Sequence, residues 1–211
     1  MITGVIAGAI TLFARFLTAV RAEWTGHPPD NRPRIFFANH ASHGDFVLVW
    51  AVLPAALRSR TRPVAGAEYW RKDALRRFIG ERVFNAVLVS REAAGRRDSD
   101  PVARFAEALD AGASLILFPE GTRNTGSVPL LPFKSGLYHL ARARPEVELV
   151  PVWIDNLNRV LPKGEIVPVP LLCTVTFGAP LALQPGEGSV PFRERSRAAL
   201  LALAPTEREG A

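Results

Sequence analysis

After Pro33, short runs of β-branched, aliphatic and aromatic residues alternate with longer segments whose apolar positions recur every three or four residues. Runs of the first kind, bounded by Gly, Pro or polar clusters, read as strands; segments of the second kind read as helices. The alternation predicts strands at Arg34 to Ala38, Thr61 to Ala65, Phe84 to Val89, Ser114 to Phe118, Glu148 to Ile154 and Leu171 to Phe177. Between and after them it predicts helices at Gly44 to Leu53, Glu68 to Ile79, Asp100 to Gly112, Ser135 to Arg144 and Pro191 to Ala204. The third of these has the clearest boundaries: Asp100 can cap it, Pro101 suits its first position, and Gly112 can end it. Its residues Val102, Phe105, Ala106 and Leu109 share one face. Lys163 to Pro170 and Gln184 to Ser189 read as loops from their Gly and Pro content. Strands interleaved with helices point to an α/β protein, a single-domain αβα layered fold around a mostly parallel or mixed central sheet.

An N-terminal hydrophobic helix is predicted ahead of that domain. Ile2 to Val20 carry one charge, Arg15, and as a helix would be about 28 Å long, against about 30 Å for the hydrocarbon core of a bilayer. Ile2, Ile6, Ile10, Phe13, Leu17 and Val20 form a helical stripe. We therefore expect residues 1–24 to be a membrane-associated helix, either peripheral or a single N-terminal anchor, with the catalytic domain over 30–206. The charges Arg21, Arg32 and Arg34 follow the apolar run instead of preceding it, which argues against a secretory signal. They would hold the following domain on the cytoplasmic face of the membrane.

Composition narrows this picture at two points. The 211 residues, 48% hydrophobic and 22% charged, suffice for one sizeable core, and the single cysteine, Cys173, excludes an internal disulfide. The formal charge of +6 is concentrated: Arg58 to Arg82 hold eight basic and three acidic residues. Such a patch suits a membrane surface with anionic lipids, or an acidic carrier protein. No aromatic–basic interleaving accompanies it, so no nucleic acid partner is expected.

Two motifs carry chemistry. Asn39-His40-Ala41-Ser42-His43-Gly44-Asp45 places a potential general base, His40, five residues before a carboxylate that can set its tautomer. Phe118-Pro119-Glu120-Gly121-Thr122-Arg123 places a guanidinium on a Gly-containing turn, an arrangement that can hold phosphate by charge-assisted hydrogen bonds. Each motif follows a predicted strand, at the sheet edge where open α/β folds bind ligands.

This ordered set resembles the glycerolipid acyltransferases, the 1-acylglycerol-3-phosphate acyltransferases and their lysophospholipid-acylating relatives. His40 to Asp45 match the family's H-x4-D motif and Phe118 to Arg123 its F-P-E-G-T-R motif. Arg91, after Val87-Leu88-Val89-Ser90, and Leu149-Val150-Pro151-Val152 match two further blocks. The resemblance implies that His40 and Asp45 are catalytic. It implies that Arg91, Glu120, Gly121, Thr122 and Arg123 bind the acceptor, with Arg123 foremost for its phosphate. The implied reaction is transfer of a fatty acyl group from acyl-CoA or acyl carrier protein to the free hydroxyl of a lysophospholipid. With 1-acylglycerol 3-phosphate as acceptor, the product is phosphatidate. No cofactor beyond the acyl donor is implied, and no metal, although His43 beside His40 and Asp45 allows a His–carboxylate ligand set to be considered.

Direct transfer is expected, because neither Ser42 nor Cys173 is well placed as a nucleophile. Asn39 is expected to support the His40 turn locally. Lys134 is a further candidate for phosphate, whereas His139, Trp50, Trp70 and Trp153 read as structural. The alternatives are an acyltransferase for another lyso-lipid, a lipid-ester hydrolase, and a non-catalytic membrane-lipid-binding protein of the same fold.

Overall fold

The computed structural model describes residues 2–26, 30–42, 44–90, 100–155 and 173–205. Arg91, His43 and the predicted loop at Lys163 to Pro170 lie outside the described residues. The central element is β2 (Arg34–Ala38), the first predicted strand, whose five residues are all buried. Such a continuous apolar run suits a parallel strand covered on both faces. On one side it pairs in parallel with β5 (Ser114–Leu117), and on the other with β6 (Glu148–Asp155). The sheet continues past β5 to β3 (Thr61–Gly66) and β4 (Val87–Val89). Past β6 it continues to β7 (Thr174–Phe177) and β1 (Arg21–Trp24), so that among the described residues seven strands run in the order β1-β7-β6-β2-β5-β3-β4. Among the described strand pairs, only β6–β7 is antiparallel.

Helices cover both faces. α6 (Pro101–Asp110), α7 (Gly136–Ala143) and α8 (Ser189–Leu201) pack on one face, over Ile35, Phe37, Leu115 and Leu149. α1 (Ile2–Thr18) and α2 (Asp45–Val52) lie on the other, over Phe36, Ile116, Val150 and Phe177. The predicted start of α6 is present: Asp100 accepts from Val102 N at 2.9 Å, and Gly112 follows the helix with φ +79°. Cys173 is fully buried, and burial, with a smaller contribution from Asp155, pushes its thiol up to about 11. It is packing, in keeping with its apolar surroundings.

Several elements differ from the sequence expectation, among them the strand expected at Phe84 to Val89, which covers only Val87–Val89 because Asn85 turns the backbone with φ +49°. A short helix, α3 (Ala55–Arg58), precedes β3, and Glu68 to Ile79 is not one helix: α4 (Ala67–Trp70) and α5 (Ala74–Phe78) are short, and a π-turn follows at Ile79–Val83. Asp73 interrupts the run because it is extended and its side chain caps α5, accepting from Arg76 N at 2.8 Å. The π-turn lets the backbone pass over Trp70: a Cβ on Gly80 would lie 2.8 Å from that indole.

The N-terminal helix also ends earlier than expected, at Thr18, and Arg21–Trp24 form edge strand β1. Trp24 anchors it by stacking on Phe177 at 3.9 Å. Moreover, α1 does not bury its largest side chains. Thr11, Ala14 and Thr18 face the domain, while Ile2, Val5, Leu12, Phe13 and Phe16 are 64–82% exposed. Among the described residues no helix is long and apolar enough to cross a membrane.

Candidate functional site

The parallel β2–β5 pairing aligns Phe37 with Leu117, so the residues after both strands emerge side by side. His40 and Glu120, eighty positions apart in the chain, are in direct contact as a result.

The His40 turn folds back onto Asp45 at the start of α2. One oxygen, Asp45 Oδ2, accepts from His40 Nδ1 at 2.8 Å, from Ala41 N at 2.7 Å and from Ser42 N at 2.8 Å. The carboxylate side chain is 2% exposed and the imidazole 21%. Three donors on a buried oxygen call for an ionised acceptor, and a carboxylate accepting from Nδ1–H leaves Nε2 with the lone pair. The ring lies flat on Phe118, with centroids 4.2 Å apart and planes inclined by 19°. Stacking and hydrogen bond together restrict both its position and its rotation.

Glu120 is built into the backbone of the site. It is 2% exposed; Oε1 accepts from His40 N at 2.8 Å and Oε2 from Leu131 N at 2.8 Å. Both oxygens thus tie backbone to backbone, linking the histidine turn to the loop after the second motif. Burial raises the Glu120 carboxyl above the ordinary glutamate range; the Leu131 and His40 amides oppose that rise, as His40 does when protonated, and Asp45 adds to it. Asn124 N completes the tie by donating to His40 O at 2.6 Å. Its side chain in turn braces the loop through Gly126 N and Val128 O. Asn39 also acts at longer range than expected: its amide donates to Ile154 O at 3.0 Å and accepts from Ile154 N at 2.7 Å. The side chain thereby extends the β2–β6 ladder past the end of β2.

A cleft of about 620 Å³ opens beside His40. Gly121, Thr122 and Arg123 line it, as does Lys134, and its apolar wall includes Phe46, Val64, Phe105 and Leu137. Gly121 has φ +69°, a conformation that favours glycine, and a Cβ there would meet the Lys134 side chain at 2.7 Å. The lysine stem therefore lies across the glycine and brings its ammonium to the same cleft as the Arg123 guanidinium. Among the described residues neither cation has a carboxylate partner. The arrangement offers a base, two cations and an apolar wall in one space, which suits an amphiphile with a phosphate and a nearby hydroxyl.

Of the sequence-derived candidates, His40, Asp45, Glu120, Gly121, Thr122 and Arg123 converge, and Arg91 lies outside the described residues. The backbone ties of Glu120, Asn124 and Asn39 had no local sequence signal, because each partner is brought in by strand pairing.

The acyltransferase family profile matches residues 20–155. The chain is 29% identical over 164 residues to the 1-acyl-sn-glycerol-3-phosphate acyltransferase alpha of Mus musculus, and 30% identical over 162 residues to that of Homo sapiens. These alignments cover 74% and 73% of this chain but 53% and 52% of the relatives, so the chain spans about half the length of the curated relatives it matches. The crystal structure of the 1-acyl-sn-glycerophosphate acyltransferase PlsC from Thermotoga maritima superimposes with a TM-score of 0.69 at 22% identity. That match covers 97% of this chain and 83% of the other, and it establishes a common fold.

Proposed function

The chain belongs to the acyltransferase family, and on that premise we propose that it moves a fatty acyl group from a thioester donor to the free hydroxyl of a lysophospholipid. The acceptor we favour is 1-acylglycerol 3-phosphate, which gives phosphatidate. The observation that carries this reading is the His40–Asp45 pair, 2.8 Å apart, opening on the cleft that also holds Arg123 and Lys134. His40 Nε2 takes the hydroxyl proton as the acceptor oxygen attacks the thioester carbonyl carbon. The new ester C–O bond forms, the C–S bond breaks, and the imidazolium returns the proton to the departing thiolate. Asp45 stabilises the imidazolium throughout. Arg123 and Lys134 hold the acceptor phosphate, with Thr122 beside them. Incubating the purified protein with labelled acyl donor and a panel of lyso-acceptors tests the reading. Esterified product supports it; free fatty acid would indicate a hydrolase, and no turnover a binding protein.

The acceptor role of Arg123 makes a separate prediction. Arg123→Ala should raise the KM for the lysophospholipid by about tenfold or more, the scale of one charged hydrogen bond, with a smaller effect on kcat. An unchanged KM would place the phosphate elsewhere.

We also propose that the enzyme works at the cytoplasmic face of the membrane with α1 lying in the interface. The five exposed apolar side chains of α1 support this. Each large apolar side chain transferred from water is worth about 1.5–3 kcal/mol. Replacing Phe13 and Phe16 together by serine should therefore reduce sedimentation with anionic vesicles by more than about tenfold. Because β1 follows directly, substitution is a cleaner test than deletion of the helix. Undiminished sedimentation of the double variant would move the contact to another surface.

A further inference from the structure

The segment Leu130 to Lys134 brings the second cation to the acceptor cleft, yet it forms neither helix nor strand. Leu130 and Phe133 are buried in the core, where Phe133 meets Phe37 edge to face at 6.2 Å. Pro132 between them has no N–H. The amides on either side of it are bound to the second motif: Leu131 N donates to Glu120 Oε2 at 2.8 Å, and Lys134 N donates to Pro119 O at 2.8 Å. With no ladder or helix to satisfy them, the carbonyls of this segment need donors from elsewhere.

Those donors come from α8, which lies beyond the residues matched by the family profile. Arg193 and Arg197 stand one turn apart on it, so their side chains are neighbours on one face. Arg193 Nη1 donates to Phe133 O at 3.0 Å, and its Nε donates to Ser189 O at 3.1 Å, in the first turn of the same helix. Arg197 spans two consecutive carbonyls: Nη2 donates to Leu130 O at 2.5 Å and Nε to Leu131 O at 3.3 Å. A planar guanidinium carries its donors at fixed spacing, so it fixes the separation of the two carbonyls that it bridges. Among the described residues neither arginine forms an ion pair that would compete, whereas Arg195 between them pairs with Glu187. The amides of Leu130 to Lys134 are thus held by the second motif and its carbonyls by α8.

We propose that Arg193 and Arg197 are positioning residues for the acceptor phosphate: by clamping Leu130 to Phe133 they hold the backbone of Lys134 where its stem crosses Gly121 and its ammonium joins Arg123. A lysine has a long, flexible stem, so where its ammonium reaches depends on where its backbone is held. The inference rests on the proposed binding of a lysophospholipid phosphate by Arg123 and Lys134. It adds that the subsite is set from the C-terminal helix, outside both motifs.

Arg197→Met keeps the apolar length of the side chain and removes its donors. Hydrogen exchange of the purified full chain reads the clamp without turnover. The Leu131 and Lys134 amides should exchange at least about tenfold faster in Arg197→Met, the scale of one charge-assisted hydrogen bond, while those of Phe36 and Ile116 in the centre of the sheet stay protected. Titration calorimetry with the water-soluble acceptor 1-hexanoylglycerol 3-phosphate reads the consequence. Its binding should weaken about fivefold in Arg197→Met, and adding Arg197→Met to Lys134→Met should weaken it little further. In turnover the KM for the lysophospholipid should rise by a similar factor, with a smaller change in kcat and none in the KM for the donor. If Arg197→Met folds poorly, Arg193→Met, which among the three carbonyls frees only Phe133 O, should show the same pattern at about threefold. Unchanged exchange at Leu131 and Lys134 overturns the proposal, as does absence of hexanoylglycerol phosphate binding by the parent protein. So does a weakening of equal size with and without the Lys134 ammonium, or a fall in kcat with the acceptor KM unmoved, either of which would make the arginines supports of the fold alone. The expected binding pattern in a protein that transfers no acyl group would keep the clamp and remove only the reaction proposed above.

Discussion

Replacing His40 by alanine is expected to lower the rate of acyl transfer by about 10²- to 10⁴-fold, the usual contribution of a positioned general base, while the fold survives. The side chain takes part in one hydrogen bond, to Asp45, and one ring stack, on Phe118. Without it Asp45 still accepts from Ala41 N and Ser42 N, so the turn keeps two of its three local ties. The stability change should therefore stay near that of a single hydrogen bond, about 0.5–1.5 kcal/mol. Single-turnover transfer and denaturant unfolding of the same preparation separate the two quantities. A folded His40→Ala protein with near-normal turnover would end the general-base assignment.

Glu120→Ala should act in the opposite proportion, through structure first. The substitution removes the acceptor of His40 N and of Leu131 N together, in a place that is 2% exposed. Each buried amide left without a partner costs about 1–3 kcal/mol, so a loss of roughly 2–6 kcal/mol in unfolding free energy is expected, accompanied by loss of activity as the histidine turn loosens. If Glu120 instead touched the acceptor, stability would hold and only the KM would move. The raised pKa of Glu120 also has a definite sign. The folded chain holds this proton more tightly than the unfolded chain does, where the group has the ordinary value of 4.5. Its contribution is then fully present below 4.5 and is lost as pH rises through the folded value. The difference in unfolding free energy between the parent and Glu120→Gln should therefore vary with pH in that window and level off above it. A pH-independent difference would argue against the burial effect.

The order and type of most elements could be read from the chain because burial imposes a period on the sequence. Arg34–Ala38 is a buried run flanked by polar residues and forms a strand with the expected bounds, and Asp100, Pro101 and Gly112 bound a helix by local chemistry alone. Where local signals conflict, the periodicity alone does not fix the element. Glu68 to Ile79 has enough helical spacing to suggest one helix, but Asp73 prefers to cap and Trp70 needs a glycine to pass over it, so the segment breaks. β1 has little local signal because Arg21-Ala22-Glu23-Trp24 is only four residues long and its alternation rests on a small alanine; three of its four residues are exposed, and pairing with β7 makes it a strand. The stripe on α1 was visible, but which of its side chains meet the domain was not. The domain packs against its small residues and leaves Phe13 and Phe16 outside.

The same division runs through the site. By itself the sequence determined the chemical inventory: a histidine five residues from a carboxylate, a glycine before an arginine, and the strands that each motif follows. Those features depend on neighbours within one turn, and the chain states them directly. Only the tertiary structure decided that β2 and β5 lie side by side, that Glu120 braces the His40 backbone, and that Lys134 crosses Gly121 to join Arg123. Hydrogen bonds across eighty residues depend on which strands pair and in what register. That choice is settled by burying the whole sheet at once, and no local segment encodes it.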